Sequence, residues 1–279
     1  MPPTVETLDP FGAEISGLAG AELSSEAGAA ECRNLLARHH VLVYRDVAIS
    51  DEELVALTRR LGRPLPARTG EHRFSEIDTI TLDPGRTDPR LAALRRGNFL
   101  WHFDGATGTS PQKATLLAAR EIPESGGDTE FADTTQAYRE LSADRRRKLH
   151  GLRVLHSFAA AQQRANPDAD EEQRARWDAV PTREHPLTWT HRDGRISLLV
   201  GATAHRVTGL PEDEGAGLLE ELENWVTQPR FVLRHQWREG DLVVWNNTTL
   251  LHRARPFAAT ARRLMHRTTL VGDETTDQQ

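Results

Sequence analysis

Trp101-His102-Phe103-Asp104 is the stretch around which the rest of the chain can be read. Side chains alternate along an extended segment, so the imidazole of His102 and the carboxylate of Asp104, two positions apart, face the same way and can grip one ion. A histidine arriving from a distant strand, for which His252 is the candidate, would complete a 2-His-1-carboxylate set. Such a set leaves one face of an octahedral metal open for chemistry. The tripeptide alone is a weak signal in a chain with 12 His and 41 Asp+Glu, because His-x-Asp arises by chance. Its weight comes from what surrounds it.

On either side the hydrophobic pattern describes short strands and a few helices. Val41-Leu42-Val43-Tyr44, residues 113–120 and Leu242-Val243-Val244-Trp245 are apolar runs of strand length. Phe11 to Leu18, Phe231 to Trp237 and Arg263 to Val271 also read as strands, and Pro186 to Val200 as a hairpin turning at Asp193-Gly194. Helices are predicted over 26–38, from the capping box Ser50-Asp51-Glu52-Glu53 to Leu61, from Asp133 through Leu141, from Ser142, and from Pro211 through Trp225. The proline- and arginine-rich stretch 63–98 reads as an irregular loop serving as a lid, and the polar stretch 159–182 as a surface insertion. Many strands with peripheral helices predict one mostly β domain over 1–279, a double-stranded β-helix or jelly roll whose mouth can hold a ligand.

Composition narrows the function classes. No apolar run approaches a membrane span, and the N-terminus lacks the basic and apolar regions of a secretory signal. The single cysteine, Cys32, cannot form an intramolecular disulfide, which suits a reducing cytoplasm. A net charge of -6 argues against nucleic acid as the main partner, while local arginines can still bind a small anion. Homo-oligomer formation is left open.

Five segments in order carry a family resemblance: Trp101-His102-x-Asp104, Gly126-Gly127-Asp128-Thr129, Gly240-Asp241-Leu242-Val243-Val244-Trp245-Asn246-Asn247, His252-Arg253-Ala254 and Arg262-Arg263-Leu264-Met265-His266-Arg267. Pro10 to Gly17 and His185-Pro186 add support. From about Gly12 to Asp273 the chain resembles the taurine / 2,4-dichlorophenoxyacetate dioxygenases, which depend on Fe(II) and 2-oxoglutarate. The resemblance implies that His102, Asp104 and His252 bind iron, that Arg263 pairs with the distal carboxylate of 2-oxoglutarate, and that Thr129 assists. It implies O2 as the second cosubstrate, release of succinate and CO2, and hydroxylation of an unactivated C–H bond in a small organic anion. The carboxylate at Asp104 favours hydroxylation over halogenation.

Two further residues follow from the same resemblance. Asn98 matches a substrate-pocket position, and Arg267 matches the arginine that grips a substrate sulfonate or carboxylate. On an extended strand Arg267 lies on the same face as Arg263, about 13 Å further along; pairing with Asp273 or Glu274 would instead make it structural. Where the taurine enzyme has a histidine and a tyrosine before the His-x-Asp motif, this chain has Leu65 and Arg68, which speaks against taurine. Trp101 and Trp245 read as core, and His156, His185, His205, His235 and His266 as structural. A zinc hydrolase would also use three ligands and a water, but shows no evident general base here and leaves Arg263 unexplained. A non-catalytic jelly-roll protein binding small anions is the other alternative, against which the intact triad argues.

Overall fold

The computed structural model describes residues 3–68 and 72–276; the chain ends and the part of the expected lid at 69–71 lie outside them. The chain opens with β1 (Thr4–Thr7), β2 (Ala13–Ser16), α1 (Gly20–Leu23), α2 (Glu26–His39), β3 (Val41–Tyr44) and α3 (Asp51–Leu61). It continues through β4 (Asp78–Ile80), α4 (Pro89–Arg95), β5 (Ala114–Glu121), β6 (Thr129–Asp133), α5 (Thr134–Arg139), α6 (Ala143–Leu149) and β7 (Arg153–His156). Next come α7 (Phe158–Ala165), α8 (Glu171–Asp178), β8 (Arg183–Pro186), β9 (Thr188–Thr190), β10 (Ile196–Leu198) and β11 (Ala204–Thr208). Then α9 (Glu212–Val226) leads into β12 (Val232–His235), β13 (Leu242–Asn246), β14 (Leu250–Ala254) and β15 (Leu264–Thr269).

A seven-stranded sheet in the order β1-β2-β3-β13-β5-β15-β4 faces a three-stranded sheet, β12-β6-β14, and this strand-rich sandwich is the predicted jelly roll. The reason the central strands read as unbroken apolar runs is that both of their faces are covered. Val43, Leu117, Val243 and Met265 point inward and meet Phe131 and Leu233 of the small sheet. Leu42, Leu116 and Val244 point outward onto Leu35, Leu54 and Leu57 of α2 and α3. Phe131 is fully buried in the sandwich, and its truncation to alanine should cost about 3–5 kcal/mol. The α3 capping box forms as expected, with Ser50 accepting from the Glu53 N–H at 3.2 Å and Glu53 accepting from the Ser50 N–H at 2.8 Å.

Two expectations need correcting. The stretch 63–98 is not an irregular loop: it contains β4, an edge strand paired to β15, then α4 and a 3₁₀ turn at Arg96–Phe99. Its prolines misled because Pro89 occupies the first turn of α4, where no N–H is needed, behind an Asp88 cap. The stretch 159–182, expected as a surface insertion, is helical: α7 and α8 form there, and α7 buries Gln162. The Trp101–Asp104 stretch joins its partner strand only through one bridge, His102 to His252. Among the described residues no helix is long and apolar enough to cross a membrane.

Candidate active site

His102 and His252 are brought together by backbone before side chains. The His102 N–H donates to the His252 carbonyl at 3.1 Å and the His252 N–H donates back at 2.8 Å. The preceding residue is held as firmly: the Ala202 N–H donates to the Trp101 carbonyl at 2.7 Å, and Gly201, at φ +106°, permits this approach because a Cβ there would lie 2.7 Å from that oxygen. Arg253 next to His252 stacks on the Trp101 ring and pairs with Glu130 across the strands. The imidazole centroids are 4.2 Å apart, and one ligand atom from each of His102, Asp104 and His252 fits in a group no wider than 4.8 Å.

The surroundings set the charge states. The Nδ1–H of His102 donates to the Leu100 carbonyl at 2.8 Å, which leaves Nε2 as the free lone pair. Burial lowers the His102 pKa against the pull of Asp104, and burial together with His102 takes His252 down to about 3, so both imidazoles are neutral at pH 7. Burial penalises the Asp104 carboxylate, but His252, Arg267 and His102 outweigh it and hold the carboxyl well below the usual range. Thr115 donates to Asp104 Oδ2 at 3.1 Å; it accepts from Asn247 at 2.8 Å, which in turn accepts from Trp245 at 2.7 Å. Two neutral imidazoles and an oriented carboxylate make a donor set for a divalent metal. Trp245 is core, as expected, yet also starts this chain of bonds.

A comparable trio, Asp51, His72 and His266, lies elsewhere, but Arg120 donates to Asp51 at 2.6 Å and already supplies the cation. His266 is thus a structural residue, tied to Asp51 at 2.7 Å.

A cavity of about 50 Å³ beside the trio is lined by His102, His252, Thr129, Arg263, Asn98 and Arg267, among others. Arg263 is only 4% exposed; burial pushes its guanidinium down to about 10, with Asp128 opposing, and its Nε is buried without a hydrogen-bond partner. Leaving such a donor unmet is costly, so the site is shaped for an anion. Gly127 contributes here, since a Cβ on it would lie 3.1 Å from the Arg263 side chain and its φ is +75°. Thr129 Oγ1 accepts from Trp237 at 3.0 Å. The Gly-Gly-Asp-Thr segment therefore shapes a site as well as a turn.

A larger cavity, about 520 Å³, is also lined by His102, together with Asp104. Leu91, Leu94, Phe158 and Val180 give it apolar lining, and Arg68, Asp78, Arg95, Asn98 and Arg267 give it charged and polar lining. Arg267 does not pair with Asp273 or Glu274, which engage Lys113 and the Arg192 N–H; it pairs with Asp78 at 2.9 Å. Sequence reading missed Asp78 as well as Thr115 and Asn247. Asp78 left a trace as an acid two residues before an apolar edge position, and Asn247 as the last residue of the Gly240–Asn247 segment.

Residues 4–269 match the family model described as "Taurine catabolism dioxygenase TauD, TfdA family". The chain belongs to the TauD/TfdA family. Over 280 residues it is 34% identical to an alpha-ketoglutarate-dependent 2,4-dichlorophenoxyacetate dioxygenase of Burkholderia sp. (strain RASC), covering 96% of this chain and 94% of the relative. A (S)-phenoxypropionate/alpha-ketoglutarate-dioxygenase of Sphingobium herbicidovorans is 31% identical, with 94% and 92% covered. The crystal structure of AAD-2 in complex with Mn(II) and N-oxalylglycine superposes with a TM-score of 0.83 at 28% identity, over 99% of this chain and all of that one. This TauD/TfdA protein is accordingly an Fe(II)- and 2-oxoglutarate-dependent dioxygenase, with O2 as cosubstrate.

Proposed function

We propose that this dioxygenase hydroxylates an unactivated C–H bond in a small organic carboxylate or sulfonate with an apolar body. The observation that carries the reading is that His102, Asp104 and His252 form one cluster bordering two cavities of different character, one lined by the unmet Arg263 and one by apolar side chains. His102, Asp104 and His252 would hold the iron, and Arg263, with Thr129 beside it, the far carboxylate of 2-oxoglutarate. A planar guanidinium suits that carboxylate in bidentate geometry. When bound, iron with 2-oxoglutarate supplies the oxidation by O2, yielding succinate, CO2 and the hydroxylated product.

The chain's own residues supply position and charge. The His102 bond to Leu100 and the Thr115 bond to Asp104 aim two ligands, and the neutral imidazoles let both histidines donate lone pairs at neutral pH. Arg267 and Asn98, in the polar lining of the larger cavity, would orient the substrate anion, and Leu91, Leu94 and Phe158 would hold its body. The phenoxyacetate and phenoxypropionate relatives act on anions with an aromatic body, which supports this division. Succinate release should rise when an aryloxyalkanoate or arylsulfonate is added to enzyme, Fe(II), 2-oxoglutarate and O2, and should vanish for Asp104→Ala. A neutral compound as the preferred substrate, or full activity in Asp104→Ala, would refute the reading.

A further inference from the structure

Arg267 is the substrate arginine in the reading above, yet part of its charge is already committed inside the protein. Asp78 sits directly opposite it in the β4–β15 register and takes its Nη2 at 2.9 Å. The other oxygen of Asp78 accepts the backbone N–H of Arg68 at 2.8 Å, so the carboxylate is fixed from two sides. Asp78 is only 7% exposed and still borders the 520 Å³ cavity together with Arg68, Arg267 and Asn98. The Nε of Arg267 is buried and unmet, which leaves this guanidinium with at least one donor still to give. The charged residues lining this cavity are Arg68, Arg95 and Arg267 against Asp78 and Asp104, and their sum is one positive charge.

We propose that Asp78 is a specificity-determining residue that restricts the larger cavity to monoanionic head groups, such as carboxylate, sulfonate or sulfate ester, and turns away dianions such as phosphonate. The proposal rests on Arg267 facing the substrate anion. A monoanion balances the single net positive charge. A second negative charge on the same head group has no counterpart and lies close to Asp78, and in a partly buried site one such like-charge contact weakens binding by roughly tenfold or more. Without Asp78, the same lining would sum to two positive charges and match a dianion.

The test compares phenoxyacetate, phenoxymethanesulfonate and phenoxymethylphosphonate, which share one body and differ in head charge. Dissociation constants are measured anaerobically on the Fe(II)- and 2-oxoglutarate-loaded enzyme at about pH 8, alongside substrate-stimulated succinate release in air. The wild type should bind the phosphonate at least about tenfold more weakly than the carboxylate. Asp78→Asn, which keeps the acceptor for Arg68, should close that gap by about tenfold or more, and Asp78→Glu should preserve it. The sulfonate-to-carboxylate ratio should stay the same in all three proteins. If Asp78→Asn binds the carboxylate but leaves the phosphonate ratio unchanged, Asp78 does not select charge. If the wild type binds none of the three anions, the anionic-substrate reading itself falls.

The wild type alone offers a second measurement should the variants fail to fold. Lowering pH through the second ionisation of the phosphonate should tighten its binding relative to phenoxyacetate, whose own profile corrects for titration of His102, Asp104 and other groups facing the cavity. A flat ratio would overturn the proposal.

Discussion

Asp104 owes its orientation to a side chain that makes no contact with the open face of the site. Thr115 Oγ1 is fully buried and gives its only proton to Asp104 Oδ2, while Asn247 holds it from behind. Thr115→Val keeps the shape and removes the donor, and outer partners of this kind typically change metal affinity 10–100-fold. An anaerobic Fe(II) titration should show weakening of about that size; unchanged affinity would mean that packing alone orients Asp104. His156 offers a separate test. Burial, helped by the neighbouring His185, takes its pKa down to about 3, whereas an unfolded chain would titrate near 6.5. The folded state thus binds fewer protons than the unfolded state between those values. Stability from the neutral ring is complete above about pH 6.5 and is lost as pH falls toward about 3, by about 1.4 kcal/mol per pH unit at most. Denaturant melts from pH 7 to 4 should show this slope in the wild type and a shallower one in His156→Phe.

Among the elements, α4 with its following 3₁₀ turn is clasped to α7, although the two lie far apart in sequence. Gln162 on α7 donates to the Leu94 carbonyl at 3.2 Å, and Asn166 just beyond α7 donates to the Ala93 carbonyl at 3.1 Å. A Cβ on Gly97 would lie 2.8 Å from the Gln162 amide, so a glycine at 97 lets the two segments close. The apolar wall of the larger cavity is built from both partners, Leu91 and Leu94 on one side and Phe158 on the other. Gln162→Ala should speed hydrogen exchange over Leu94–Phe99 and raise KM for the prime substrate while 2-oxoglutarate binding stays the same. Exchange at the wild-type rate would show that the clasp does not hold the wall. Stability should fall by about 1–3 kcal/mol, the cost of stranding buried hydrogen-bonding groups.

For the whole molecule, the proposed 2-oxoglutarate site spans both sheets. Thr129 and His252 belong to the small sheet, and Arg263 leads into β15 of the large one. A ligand held by both should staple the sandwich and bind only the folded chain. At a concentration of about 100 times Kd it adds about 2.7 kcal/mol, or roughly 2–4 °C of Tm per kcal/mol in a domain of this size. Metal-loaded wild type should show that rise on addition of 2-oxoglutarate. Arg263→Ala should lose at least about two-thirds of it at the same ligand concentration, because truncating one side of a buried charge pair costs about 2–5 kcal/mol, roughly 30-fold to several-thousand-fold in affinity. An equal Tm shift in the two proteins would remove Arg263 from the site.

The sequence by itself was enough for the sandwich, because strands buried on both faces must be continuously apolar, as Val41–Tyr44 and Leu242–Trp245 are. It also named His102, Asp104, His252, Thr129, Arg263, Asn98 and Arg267 as candidates, six of them within short motifs and Asn98 just before the first, and each of them lines one or both of the two cavities. The partners of those residues were out of reach. Nothing near Arg267 in the chain names Asp78, whose place opposite it depends on the three-residue strand β4 adding to a sheet edge. Thr115 and Asn247 read as ordinary strand and turn residues until β5 and β13 pair and aim them at Asp104. Ligand identity is local chemistry and can be written in a short motif; the charge and aim of a ligand depend on neighbours distant in sequence, and only the folded sheet brings those neighbours into contact.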